Sequence, residues 1–401
     1  MPLVKFEFEL EFLTPAFIGG ADPSTKADFS LKPLKSAMRY WWRQFQDLSD
    51  PTVVFQKESR IFGNTHGRSI FSLRLTDRAD MHFQHSNDGY RPPANSGRSY
   101  LLYSCISRGA QQRGRKEWIP AGGKVGFQMA FLADDFSSIK QALFSLWLVQ
   151  TFGGLGTRSR RGGGSFLLSL GDSPKEYGTD TNELFEMIAE DLRAALLDSR
   201  SGNNYSSLIV PSSPLASGLT SADRYKAISP LNTADDVLDL LGERLRDSRS
   251  CFTYSTRGTD PLHRQAQTLH ASGARGLYTG PDQIPKCAFG LPLIFNFKRR
   301  DAAGRVQREA GTGRVVFEDW QIVLKPADHE RRASPLFLSV KRNRGDSRHY
   351  ANALVLWSPY LPGGEAIEVI KKPKGSSAGT TIGGVSQPAI TVLTDFIRSL
   401  P

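Results

Sequence analysis

Cysteine is scarce in this 401-residue chain: Cys105, Cys251 and Cys287 lie far apart, with no C-x-x-C pair among them. An odd, scattered set excludes a disulfide framework and suits a reducing compartment. Long apolar runs are missing too, since no stretch reaches the roughly 20 residues that span a bilayer. The opening residues, MPLVKFEFELEF, alternate charge with apolar side chains and do not make the apolar core of a secretory signal. A cytoplasmic protein with no membrane partner is the expectation. Metal-ligand spacing is also absent. His82 and His85 form an isolated H-x-x-H, and Cys251 precedes His263 and His270 without the paired pattern of a structural zinc site, so no metal is expected.

Acidic residues are in deficit. The chain carries 51 Lys+Arg against 40 Asp+Glu, a formal net charge of +11. The excess is uneven, with 23 cations against 15 acids in residues 1–175 and a near balance afterwards. Arginine outnumbers lysine about two to one, which favours planar, bidentate contact with phosphate over diffuse solvation. A polyanionic partner follows, against the plainer reading of charge kept for solubility. What is abundant is globular: 39% hydrophobic and 10% aromatic residues are enough to build cores, and the length suits two domains.

Patterning gives the first domain. Val4, Phe6, Phe8, Leu10 and Phe12 alternate with charges as a half-buried strand. Leu34, Met38, Trp41 and Phe45 recur at helical spacing after Pro33. Strands are expected at 69–75, 123–132 and 165–170, with a helix over 136–152 opened by Asp134 and Asp135. Strand, helix, strand, strand, helix, strand is the split βαβ order shared by ferredoxin-like and RRM-like domains. The arrangement expected is therefore α+β, with two tandem ferredoxin-like βαββαβ domains at 1–175 and 176–401. The first carries a long insertion at about 77–123, read as functional or partner-binding. In the second, 180–198 and 233–247 read as helices; 284–297, 313–324, 335–342 and 353–357 as strands; 372–388 as a mobile loop; and TVLTDFIRSL as a closing helix.

The stretch TFGGLGTRSRRGGGSF, residues 151–166, holds six glycines and three arginines. It has no lysine for a Walker A loop and fails the last position of a dinucleotide fingerprint, so no nucleotide cofactor is expected. What remains is bare backbone able to approach a ligand closely, with Arg158, Arg160 and Arg161 adding charge; the bland alternative is a helix–strand connector. On the first helix, at 100° per residue, Lys35, Arg39, Trp42, Arg43 and Gln46 share one stripe beside the apolar face. Cations interleaved with an indole hold single strands, with charge on phosphates and the ring on a base, while Trp42 packing on a neighbour is the equal alternative.

TPAFIGGAD, LKPLKSAMRYWWRQF, RIFGNTHGRS and the glycine loop, in that order, resemble the RAMP superfamily of CRISPR effector proteins. Within it the resemblance is to first-numbered subunits of the Cmr (type III-B) complex. CAFGLPLIF and RRASPLFLSV, residues 287–295 and 331–340, resemble two C-terminal signatures of the same group. The resemblance implies two ferredoxin-like domains in a non-catalytic subunit that contacts guide RNA near its 3′ side, target RNA or both, beside other RAMP subunits. RNA-contacting residues carried over are Gly19, Gly20, Lys35, Arg39, Trp42, Arg43, His66, Arg68, Gly153, Gly154, Gly156, Arg158, Arg160, Arg161, Gly162 and Arg332. Arg331 and Arg332 are explained equally well by a salt bridge. Two rivals stand beside this reading. One is a metal-independent endoribonuclease using His66 with Arg68 as the stabilising cation; the other is a scaffold that contacts only neighbouring subunits.

Overall fold

The computed structural model describes residues 4–19, 26–77, 83–85, 89–106, 117–132, 135–170, 208–249, 261–303, 305–342, 346–356 and 364–401. Two compact units share the chain: unit 1 takes Met1–Arg244, Leu336–Leu356 and Ile397–Pro401, and unit 2 takes Leu245–Pro335 and Trp357–Phe396.

The first part of unit 1 follows the expected order. β1 (Val4–Phe12) is followed by α1 (Lys32–Gln44), α2 (Pro51–Phe62), β2 (Phe71–Asp77), the short β3 (Gln84–His85), α3 (Gly97–Leu101), the short β4 (Glu117–Trp118), β5 (Lys124–Phe131), α4 (Phe136–Phe152) and β6 (Phe166–Leu170). The four longer strands form a sheet in the order β2-β5-β1-β6, with every neighbouring pair antiparallel. Register follows the alternation of β1: Phe8 opposes Phe127, and Leu10 lies between Val125 and Leu168. Phe6, Phe8, Leu10 and Phe12 are buried together with Met38 of α1 and Phe144 and Leu148 of α4. Each such aromatic or leucine burial stabilises by about 1.5–3 kcal/mol. Strand order and crossover helices are those of a split βαβ unit.

Sequence patterning missed α2. Asp50 caps it, accepting from the Thr52 and Val53 N–H groups at 2.8 and 3.2 Å, with Pro51 in the first turn.

The remaining described elements are α5 (Pro214–Leu219), β7 (Tyr225–Leu231), α6 (Ala234–Arg249), α7 (Pro261–Arg275), β8 (Leu293–Lys298), β9 (Phe317–Pro326), β10 (Leu336–Arg342), β11 (His349–Val355), β12 (Ile367–Pro373), β13 (Thr380–Val385) and α8 (Thr391–Ser399). The expected helix at 180–198 lies outside the described residues. The structure divides the chain elsewhere than at residue 175, because β7, β10 and β11, a sheet in the order β10-β11-β7, belong to unit 1. Backbone valence explains this placement. The free edge of β10 donates Leu338 N–H to Arg160 O at 3.1 Å and Val340 N–H to Ser165 Oγ at 3.0 Å. Ser339 Oγ and Asn352 Nδ2 both donate to Thr151 O, at 2.8 and 3.1 Å. These buried polar groups have their partners in the first part of the chain and would be orphaned without it.

Unit 2 holds a four-stranded antiparallel sheet in the order β13-β12-β9-β8, packed over Leu269 of α7 with Cys287, Leu291, Ile322, Leu324, Ile367 and Val369. Residues 372–388 are not a mobile loop throughout: β13 occupies Thr380–Val385. Its Ile382 and Val385 join the core, while the threonines before them, the glycines between them and a register shift against β12 leave no plain alternation in the sequence. Within the expected strand at 284–297, Pro285–Phe289 forms a short 3-10 turn and β8 begins only at Leu293.

Candidate nucleic-acid interface

The basic stripe of α1 is only partly open to solvent. Trp42 is fully buried, its indole N–H donates to Gln141 Oε1 of α4 at 3.0 Å, and its ring packs edge-on to Phe62 of α2. It is a core residue, which corrects the expectation of a ring offered to RNA. The physical reason is α2, which lies along the side of α1 that the helical wheel left open. Its Glu58, itself buried, receives Arg43 Nη1 at 2.6 Å and Arg39 Nη1 at 3.5 Å. Arg39 also donates to the Phe62 carbonyl at 3.0 Å and to that of Gly63, satisfying the C-terminal end of α2. Lys35 sits 5.0 Å over the Phe71 ring, and burial, with the nearby Arg39 charge, holds its pKa below the ordinary lysine value. Three cations expected on phosphates thus brace α1 against its neighbours and are only partly accessible.

Beyond α2 the chain makes a tight, exposed turn. Asn64 Oδ1 accepts from the His66 and Gly67 N–H groups at 2.8 Å each, and Asn64 N–H donates to Gly67 O at 2.9 Å. His66 and Arg68 are presented to solvent on this rigid turn.

The glycine loop is largely consumed by the fold. Leu155 and Gly164 face each other, with Leu155 N–H donating to Gly164 O at 2.9 Å. Gly164 has φ +63°, and a Cβ there would sit 2.0 Å from Leu155 O. Gly156, with φ +89°, would place a Cβ 2.6 Å from Phe17 O, while Thr157 N–H donates to that same carbonyl at 2.9 Å. Thr14 Oγ1 donates to Gly162 O at 2.6 Å. Bare backbone is therefore needed for the loop to pass the chain after β1, which supplies the reason first sought in a ligand. Gly153 and Gly154 are buried with it. Gly19 is exposed at an isolated bridge to Ala27, and Gly20 lies outside the described residues.

The three loop arginines part company. Arg161 is buried, 7% exposed, against β10, which corrects its expected place on a phosphate. Arg160 stacks over Phe337 and Tyr40 at 4.7 and 5.1 Å. Arg158, at φ +68°, lies 4.1 Å over the ring of Tyr103 and donates from Nε to Ser104 Oγ at 2.7 Å. Tyr103 is 52% exposed, so this cation–aromatic pair stands at the surface. Sequence reading missed Tyr103 because it belongs to the insertion. The described parts of that insertion pack on their own unit: Tyr90 meets Phe17 and Trp118, Ala27 N–H donates to Glu117 at 2.9 Å, and Arg98 pairs with Asp235 and Asp239. Arg332 belongs to unit 2, where it pairs with Leu291 through backbone hydrogen bonds of 2.8 and 3.2 Å.

Cys105 and Cys287 are buried thiols, and burial pushes Cys287 up to about 12, away from thiolate reactivity. Among the described residues no group of three or more His, Cys, Asp or Glu could hold a metal ion, and no helix is long and apolar enough to cross a membrane.

Residues 9–167, the segment that builds the first sheet, α1, the exposed turn and the glycine loop, match the RAMP superfamily. By that match the chain is similar to the RAMP superfamily over about two fifths of its length. It is 26% identical over 183 residues, 41% of its length, to the CRISPR system Cmr subunit Cmr1-2 of Pyrococcus furiosus, of which the match takes in 94%. A second subunit of that organism, Cmr1-1, is 25% identical over 168 residues, covering 40% of this chain and 46% of that protein. The crystal structure of Cmr1 from Pyrococcus furiosus, in its apo form, superposes over all of this chain and 98% of its own with a TM-score of 0.51 at 18% identity, a likeness of fold. Most of the expected RNA contacts lie inside the RAMP segment; Arg332 alone of them lies outside it.

Proposed function

We propose that this chain is a non-catalytic RNA-binding subunit of a type III-B CRISPR ribonucleoprotein, contacting guide RNA, target RNA or both and seated beside other RAMP subunits. The observation that carries the reading is the surface pair Arg158–Tyr103 at the edge of the glycine loop, within a RAMP segment whose relatives are named as Cmr subunits. A guanidinium held on an exposed ring supplies both a phosphate contact and a stacking plane. Arg68 and His66 on the rigid turn are the second contact. Sequence choice is left to base pairing by the guide, so the protein's share is electrostatic. The fold reading that goes with it is a pair of ferredoxin-like units. The second would be β7, α6, β10, β11 and α8, strand order 2-3-1, interrupted by the segments that build unit 2.

The exposed His66 beside Arg68 keeps an endoribonuclease as the one rival with an observation behind it. Incubation of the purified chain with a single-stranded RNA, resolved in parallel on native and denaturing gels, separates the two. A shifted band of intact RNA is expected; fragments that vanish in His66→Ala would replace this reading with the nuclease, and no shift at any protein concentration would remove both.

A further inference from the structure

Unit 2 concentrates cations where no motif of the sequence drew attention. The connection between β8 and β9 with its flanks, residues 298–317, carries Lys298, Arg299, Arg300, Arg305, Arg308 and Arg314 against only Asp301 and Glu309. Antiparallel neighbours can be joined by two residues, so a connection of this length is not required by the sheet. Nor is it shapeless. Arg299 N–H donates to Val316 O, Gln307 N–H to Arg299 O and Val316 N–H to Gln307 O, at 2.9, 2.9 and 3.0 Å, folding the connection back on itself as a β-ribbon.

Its charges are sorted. Arg299 is spent on β9, with Asp319 at 2.7 Å and Glu318 at 3.6 Å. Lys298, Arg300, Arg305, Arg308 and Arg314 are exposed. Arg305 keeps a solvent-facing guanidinium beside Asp301, and Arg308 is oriented by the Gly313 carbonyl at 2.8 Å. At the base of the ribbon, Phe317 pairs in register with Lys298, is 43% exposed, and carries the Lys374 ammonium 4.6 Å from its ring centroid. Lys374 is itself held by its N–H on Asp319 O at 2.8 Å.

An exposed ring with one ammonium over it and a second lysine paired with it across the strands, continued by a strip of arginines, is the arrangement that stacks one base and neutralises the phosphates following it. We infer that the β8–β9 ribbon of unit 2, with Phe317, Lys298 and Lys374 at its base, is a second binding surface for single-stranded RNA. The inference rests on the RNA-binding reading above and adds to it a contact outside the RAMP segment. An acidic protein would satisfy the arginines and leave the ring without a role, so RNA is the partner the patch fits.

The test uses the full chain and an unstructured, end-labelled single-stranded RNA, followed by fluorescence anisotropy at several salt concentrations. The triple change Arg305→Ala, Arg308→Ala and Arg314→Ala is expected to weaken binding about tenfold or more and to lower the slope of log affinity against log salt by about 2. Phe317→Ala is expected to weaken it roughly fivefold or more with the slope kept, and Phe317→Trp to restore it. Arg→Lys at the three ribbon positions holds the charge and controls for folding, with thermal midpoints measured on every variant. If wild type binds and both alanine variants bind like it, the ribbon is not an RNA surface, while the general reading stands. If wild type binds no RNA, both fall. If polyglutamate displaces RNA at equal concentration and Phe317→Ala changes nothing, an acidic protein partner takes the ribbon instead.

Discussion

Trp42 shows how a residue is misread when its neighbours are unknown. From the sequence it shares a stripe with Lys35, Arg39 and Arg43, and that angular placement is correct. What the wheel lacks is α2, whose Glu58 turns the stripe into an interface. The Asp50-Pro51 signal that starts α2 was legible and is the cue that would have closed that face. Trp42→Ala should therefore cost about 3–5 kcal/mol in a denaturant titration, while RNA affinity measured well below the unfolding midpoint stays near that of wild type. Lys341 on β10 is the opposite case, since nothing in the sequence marks it. It is fully buried, its ammonium has no hydrogen-bond partner among the described residues, and burial lowers its pKa from 10.5 to about 7. The depressed folded value means the unfolded chain holds this proton more firmly between about pH 7 and 10.5, so stability rises with pH across that window. Lys341→Met should flatten the rise and raise the melting midpoint at pH 7; an unchanged pH profile would show that the ammonium is solvated.

At the scale of elements, β1, α1, β5, α4 and β6 were legible because each carries a clean period and a strong boundary, such as Pro33 or the Asp135 cap. β13 was not, because Thr-Thr-Ile-Gly-Gly-Val has the composition of a loop and its buried pair is visible only beside β12. The glycine loop was seen, and the structure gives its glycines a cause within the fold. Its glycines are dictated by contacts to Leu155 and Phe17 of the same chain, so they are first of all a folding requirement. Gly164→Ala combines a positive φ with a Cβ on a carbonyl and should cost on the order of 2 kcal/mol or more by thermal unfolding. A variant as stable as wild type would mean the loop relaxes freely, and the ligand explanation of its glycines would regain ground.

For the whole molecule, the sequence suggested two consecutive domains, while the structure interleaves them. β10 and β11 return to unit 1 after some ninety residues that build unit 2, and no local pattern reports a partner that far along the chain. Charge was read well in total and badly in place. The near-balanced second half conceals the 298–317 concentration because acids elsewhere in it cancel the sum. In the first half, several arginines that produced the excess are used inside the fold. Among the described cations that the sequence had placed on RNA, the best defined at the surface are Arg158 on Tyr103 and Arg68 on its turn.

The measurement that bears most directly on RNA binding through that segment is fluorescence anisotropy of a single-stranded RNA against salt, for wild type and for Arg68→Glu with Arg158→Glu. The account predicts a steep salt dependence for wild type. In the double variant it predicts a loss of about tenfold or more in affinity, with a slope shallower by about 1–2, at an unchanged melting midpoint. Equal affinity and slope in the two proteins would contradict it.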